Sequence, residues 1–159
     1  MIRQATKYDA DKIIEMLKNY RDASDLDHIK EANDKNHILS LMSNIFAGMG
    51  VILIAEDAEP QGMIIALNTF NLWNPKVKEL NELVYWVEPK YRGKTVGYRL
   101  LKSYLDYKKW VKLLEEAIAE EDIEIESADD IDELSIPDKM KIKMHEIFKD
   151  GSINGKKVE

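Results

Sequence analysis

Between Tyr85 and Arg99 the chain gathers four cations, two glycines and a proline in a span that reads as strand, tight turn and helix. Leu83 to Val87 is a short apolar and aromatic run of strand-forming residues. Pro89 stops it, because proline has no N–H to give to a ladder. Gly93 and Gly97 bracket the turn, and Val96, Leu100, Leu101, Tyr104 and Leu105 then follow helical spacing. The first N–H groups of a helix lack intrahelical partners and lie at the positive end of its dipole. A helix opening on a glycine turn is therefore an anion site, and Arg92, Lys94 and Arg99 surround it with full charges. The expected ligand is a phosphate, with Tyr98 packing close to the bound group.

Other groups capable of chemistry are sparse. The chain has no cysteine, which excludes disulfides, thiolate nucleophiles and thiolate metal ligands. His28 and His37 lie near Asp25 and Asp27, but their spacing fits no standard metal site. Arg21 to Asp34 reads instead as a solvated loop between two helices, and no metal is expected.

The elements that must position the turn follow from pattern. Ile2 to Thr6 is a short strand, and Asp9 is the expected N-cap of a helix with Ile13, Ile14, Met16, Leu17 and Tyr20 on one stripe. Asn36 to Met49 supports a second helix, ended by Gly48 or Gly50. Val51 to Glu56 and Gly62 to Phe70 form a hairpin around a turn containing Pro60, and Leu80 to Val87 returns beside it after a loop carrying Trp73 and Pro75. The helix from Val96 is expected to reach about Glu120. The stretch 122–126, with Ile123 and Ile125 between acidic residues, alternates like a half-exposed strand. Asp138 to Lys149 reads as a short amphipathic helix, and 151–159 is a polar tail. One domain spanning 1–150 accounts for this order.

With 45% hydrophobic and 33% charged residues, the 159-residue chain has the composition of a soluble globular domain large enough for a real core. No run has the length of a membrane span and no signal core is evident, so a cytoplasmic setting without membrane contact is expected. The formal net charge of −7 argues against general nucleic-acid affinity and mildly favours a cationic or neutral partner.

Tyr85-Trp-Val-Glu-Pro-Lys-Tyr-Arg-Gly-Lys-Thr-Val-Gly97 resembles the acyl-CoA-binding motif of the GNAT N-acetyltransferases, Arg/Gln-x-x-Gly-x-Gly/Ala after a strand ending in a hydrophobic-x-Pro step. Arg92 matches the first position and Gly97 the last, while Thr95 stands where the family has its first signature glycine. Ile-Arg-Gln-Ala-Thr-x-x-Asp at 2–9 resembles the family's opening strand and helix. The resemblance implies an α/β GNAT fold, a mixed, mostly antiparallel sheet flanked by helices, here with a shortened C-terminal part. It implies acetyl-CoA as co-substrate and an amine on a small molecule or protein as acceptor. The diphosphate would rest on Arg92, Gly93, Lys94, Thr95, Val96, Gly97 and Tyr98, and the pantetheine would pair with the backbone at Trp86 and Val87.

On that reading Glu82 is the candidate general base, in the strand lining the acceptor cleft. Burial beside Tyr85 and Trp86 would raise its pKa towards a useful value, against the plain alternative of an exposed carboxylate. His145 is the candidate acid, in place of the family's tyrosine. Asp25, Asp27 and Glu31 border the region where an amine would enter. Two other readings stay open: an inactive GNAT-like binding protein, and a nucleic-acid-modifying protein of the same fold. A homodimer through the edge strand or the Trp73 loop is also open.

Overall fold

Val51 to Ala55 and Gly62 to Ala66 are unbroken buried runs, as strands covered on both faces must be. The computed structural model describes residues 1–121, 152–153 and 156–157. Its sheet runs β1 (Ile2–Gln4), β2 (Gly50–Glu56), β3 (Pro60–Phe70) and β4 (Lys78–Val87) in that spatial order, with every neighbour antiparallel. Between β1 and β2 lie α1 (Ala10–Asp22), α2 (Asp27–Lys30) and α3 (Lys35–Asn44), and α4 (Val96–Glu121) follows β4. Ile13, Met16 and Met42 of α1 and α3 pack on Ile52, Ile54, Met63 and Trp86 at one face. Val96, Leu100 and Tyr104 of α4 pack on Val51, Leu53, Ile64 and Leu80 at the other. β5 (Ser152–Ile153) and β6 (Lys156–Lys157) make a separate antiparallel pair.

The expected order of elements stands, with shifted edges. Pro60 belongs to β3 rather than to the turn, and β4 starts at Lys78. The second helix ends at Asn44, and Ile45–Met49 continues as a wider turn that Gly48 closes at φ 104°. The loop from Arg21 to Asp34 contains the four-residue α2. The expected strand at 122–126, the helix at 138–149 and His145 lie outside the described residues.

Asp9 occupies the N-cap position of α1 but makes no side-chain cap bond there. Thr6 caps the preceding turn instead, and Asp9 closes the capping box by accepting from the Thr6 N–H at 2.8 Å. The rest of the Asp9 carboxylate receives Arg3 in a two-pronged pair at 2.7 and 2.8 Å. Arg3 also donates to Glu56 at 2.8 Å, and Lys12 pairs with Glu56. This network ties β1, β2 and α1 together beside the core. It leaves Asp9 only 4% exposed, the single buried charged residue among those described.

Arg3 holds the Asp9 carboxyl down from 3.8 to about 2, helped by the Thr6 N–H and opposed by burial. Lys12 and then Arg3 lower Glu56 as well. A carboxyl lowered by folding contributes stability above its unfolded pKa and loses it as pH falls through the folded value. Asp9→Asn should therefore cost about 2–3 kcal/mol at neutral pH. In denaturant titrations the gap between parent and variant should close as pH drops from about 4 to about 2.

Candidate active site

The register of β3 and β4 carries one irregularity. Ile65 lies opposite Val84 and Ala66 opposite Glu82, so Leu83 is an extra residue, a β-bulge. Directly opposed residues share a face, and the bulge resets which face each β4 residue takes. Val84 and Trp86 join the α1 side with Ile65 and Met63, while Glu82 and Tyr85 take the α4 side with Ala66 and Ile64. β4 pairs on one edge only, among the described residues. That leaves a strand edge beside Glu82 and leading into the turn.

Beyond Val87 the chain passes through a short turn at Pro89–Tyr91 and reaches Gly93 at φ 75°, a left-handed conformation that suits glycine. Thr95 then stands at the head of α4, its carbonyl accepting the Arg99 N–H at 2.9 Å. A threonine replaces the signature glycine at an N-cap position, where it is a favoured residue. The N–H groups of the first turn of α4 precede the first intrahelical donor and face outward. Gly97 lies inside that first turn rather than closing the loop before it.

The basic run divides in two. Lys90 and the Tyr91 hydroxyl both bind the Glu59 carboxylate across the turn. Arg92 folds back: its Nε donates to the Val87 carbonyl at 3.0 Å, and its guanidinium lies 4.6 Å from the Trp86 ring centre. Lys94 stands 5.6 Å from the Tyr91 ring centre, and neither Lys94 nor Arg99 has a carboxylate partner among the described residues. These two exposed cations flank the open helix end.

Trp86 is buried on the α1 side, edge to face with Tyr20 at 5.9 Å, so only its backbone can serve a ligand lying along β4. Asn19 of α1 donates to Glu88 at 2.9 Å, and Glu88 N–H bonds to Gln61, which fixes the strand end. Glu82 is exposed, the plain alternative of the two, because the bulge sends Trp86 to the other face. Its neighbour is Tyr104, whose hydroxyl donates to the Leu80 carbonyl at 3.0 Å. Burial, with a contribution from the Glu82 charge, raises the Tyr104 pKa. Asp25, Asp27 and Glu31 are exposed. The long-range pairs Tyr20–Trp86, Asn19–Glu88 and Tyr104–Leu80 left no signal in the sequence, since none has a characteristic spacing.

The fold agrees with the wider relationships of the chain. The model of the acetyltransferase (GNAT) family matches residues 13–122, and the chain belongs to that family. Solved structures share its fold at low identity. One is a predicted acetyltransferase from Clostridium acetobutylicum solved with acetyl-CoA, 16% identical at a TM-score of 0.58 over 69% of this chain and 73% of that one. Another is a ribosomal-protein-alanine N-acetyltransferase from Brucella melitensis biovar Abortus 2308, 17% identical at 0.53 over 69% and 72%. A third is the aminoglycoside acetyltransferase meta-AAC0020 from an uncultured soil metagenomic sample, 10% identical at 0.53 over 69% of each chain. No curated protein matches the chain significantly. No helix among the described residues is long and apolar enough to cross a membrane.

A Cβ on Gly93 would meet nothing within 4 Å, so only backbone strain opposes a side chain there. Gly93→Ala should cost about 1–2 kcal/mol in thermal melts. Gly93→Asn should cost less, because asparagine enters the left-handed region more readily.

Proposed function

We propose that the chain transfers an acetyl group from acetyl-CoA to an amine. The observation that carries this reading is the β4–turn–α4 unit, an open helix end flanked by Lys94 and Arg99 and continuous with a strand edge. Membership of an acetyltransferase family gives the reaction class. The residues present suit a diphosphate at the turn: first-turn N–H groups, the glycine-relaxed backbone at 93 and two cations. The pantetheine arm would lie along the β4 edge at Trp86 and Val87. Arg92 would release the Val87 carbonyl if that group is needed for pairing.

The thioester is already activated, so the protein has to position two substrates and manage protons. The neutral amine attacks the carbonyl carbon; the C–N bond forms, the C–S bond breaks, and the sulfur leaves as a thiolate. Glu82, on the α4 side of the strand edge, would take the ammonium proton directly or through water. Its contribution would rest on placement. His145 is the candidate for returning a proton to the sulfur. An N–H at the end of β4, near Val87, would stabilise the oxyanion. Related structures include enzymes named for aminoglycosides and for a ribosomal-protein alanine, which supports an amine acceptor, small or protein-borne.

Calorimetric titration with acetyl-CoA tests the binding step. Lys94→Ala and Arg99→Ala should each weaken it by up to about tenfold, or about 1.4 kcal/mol, and the loss should shrink as salt is added. Gly97→Asp should abolish it by placing a carboxylate in the anion site. With an amine that releases CoA thiol, Glu82→Gln should lower kcat by about a hundredfold. A parent protein that binds no acetyl-CoA would overturn the reading.

A further inference from the structure

The open end of α4 receives one more polar group, and it comes from the sheet. Tyr85 lies on the α4 side of β4, opposite Ile64. Its hydroxyl oxygen stands 2.9 Å from where a Cβ on Gly97 would be, with the Val87 Cγ2 at 3.5 Å. In a helix the Cα–Cβ bond tilts towards the N-terminus, so a group over that position sits towards the open end of α4. The absent side chain of Gly97 is thus space used by the Tyr85 hydroxyl.

Neighbouring tyrosines on this side have committed hydroxyls: Tyr104 donates to the Leu80 carbonyl, and Tyr91 donates to Glu59. The Tyr85 hydroxyl has no hydrogen-bond partner among the described residues, and the residue is 40% exposed. A phenol oxygen over Gly97 lies by the helix end whose first N–H groups lack intrahelical partners, where an acceptor for those donors could also meet the hydroxyl.

We propose that Tyr85 is a substrate-binding residue, its hydroxyl donating a hydrogen bond to a diphosphate oxygen of CoA held at the N-terminus of α4. The inference rests on the acetyl-CoA reading and deepens it. The anion is gripped from the helix by backbone N–H groups and from the sheet by a neutral hydroxyl. The glycine at 97 then serves a second purpose, because any Cβ there displaces the hydroxyl. An acyl carrier lacking the diphosphate gains nothing from Tyr85.

The test compares CoA with pantetheine, which lacks the diphosphate, for the parent, Tyr85→Phe, Gly97→Ala and the double variant. Titrations would be followed by NMR line shifts, with thermal melts as a folding control. Tyr85→Phe should weaken CoA binding about three- to tenfold and leave pantetheine unchanged. Because the hydroxyl is neutral, the loss should be the same at low and high salt, unlike that of Lys94→Ala. Gly97→Ala should weaken CoA binding similarly, and the double variant should be no weaker than the worse single one. If Tyr85→Phe binds CoA as the parent does, the hydroxyl only fills space and the proposal falls. Equal losses for CoA and pantetheine would overturn the diphosphate assignment. A parent that binds neither would overturn the acetyl-CoA reading and this proposal with it, whereas a binding parent with an indifferent Tyr85 would overturn the proposal alone.

Discussion

The extra residue at Leu83 is the constraint on which the site depends. A regular β4 would show Leu80, Glu82, Val84 and Trp86 on one face and Leu83, Tyr85 and Val87 on the other. With the bulge, Leu80 and Glu82 stay on the α4 side while Val84 and Trp86 cross to the α1 side. Trp86 can then bury itself against Met63 and Tyr20, and Tyr85 reaches over the first turn of α4. One inserted residue thereby lets a single strand supply an apolar anchor to one layer and polar groups to the other. The lost ladder pairing is a local cost offset by burial of Trp86, worth roughly 2–3 kcal/mol or more for a large side chain.

Two attachments keep that strand end in place. From below, α1 contributes Tyr20 to Trp86 and Asn19 to Glu88. The far end of α1 is held in turn by Asp9, Arg3, Lys12 and Glu56, so a charge network remote from the site fixes the angle of the helix that supports it. On the other face, Leu100 and Tyr104 of α4 lock the helix to β3 and β4, and the Tyr104 hydroxyl pins Leu80 just before the bulge. Position flows from core to strand to turn, while Lys94, Thr95 and Arg99 remain exposed.

Much of this frame was legible in the sequence, because it rests on local rules. Alternating or continuous apolar runs gave β2, β3 and β4, and the Val96–Leu100–Tyr104 spacing gave α4. What escaped depends on contacts between distant segments. Asp9 looked like an ordinary helix cap because Arg3 and Glu56 meet it only once β1 and β2 pair. Whether Glu82 is buried beside Trp86 or exposed stayed open, and a bulge that no residue type announces put the two on opposite faces. Arg92 was read as a charge for the phosphate, whereas the stack on Trp86 and the Val87 carbonyl draw it back to the strand.

The fate of the basic run bears on how the proposed anion site would work in an acidic chain. Four cations lie between Lys90 and Arg99, yet Glu59 takes Lys90 and the strand end takes Arg92. The remaining attraction comes from Lys94 and Arg99 and from the dipolar N–H groups of α4, which act only over a few ångströms. Charge on a flexible surface side chain draws any polyanion and weakens with salt, whereas backbone donors in fixed directions select by shape. With a net charge of −7 the body of the protein disfavours extended polyanions, and the proposed short-range donors would accept a compact diphosphate. On the proposed reading, specificity for a small anionic carrier over nucleic acid would follow from that division between long-range repulsion and local, directed attraction.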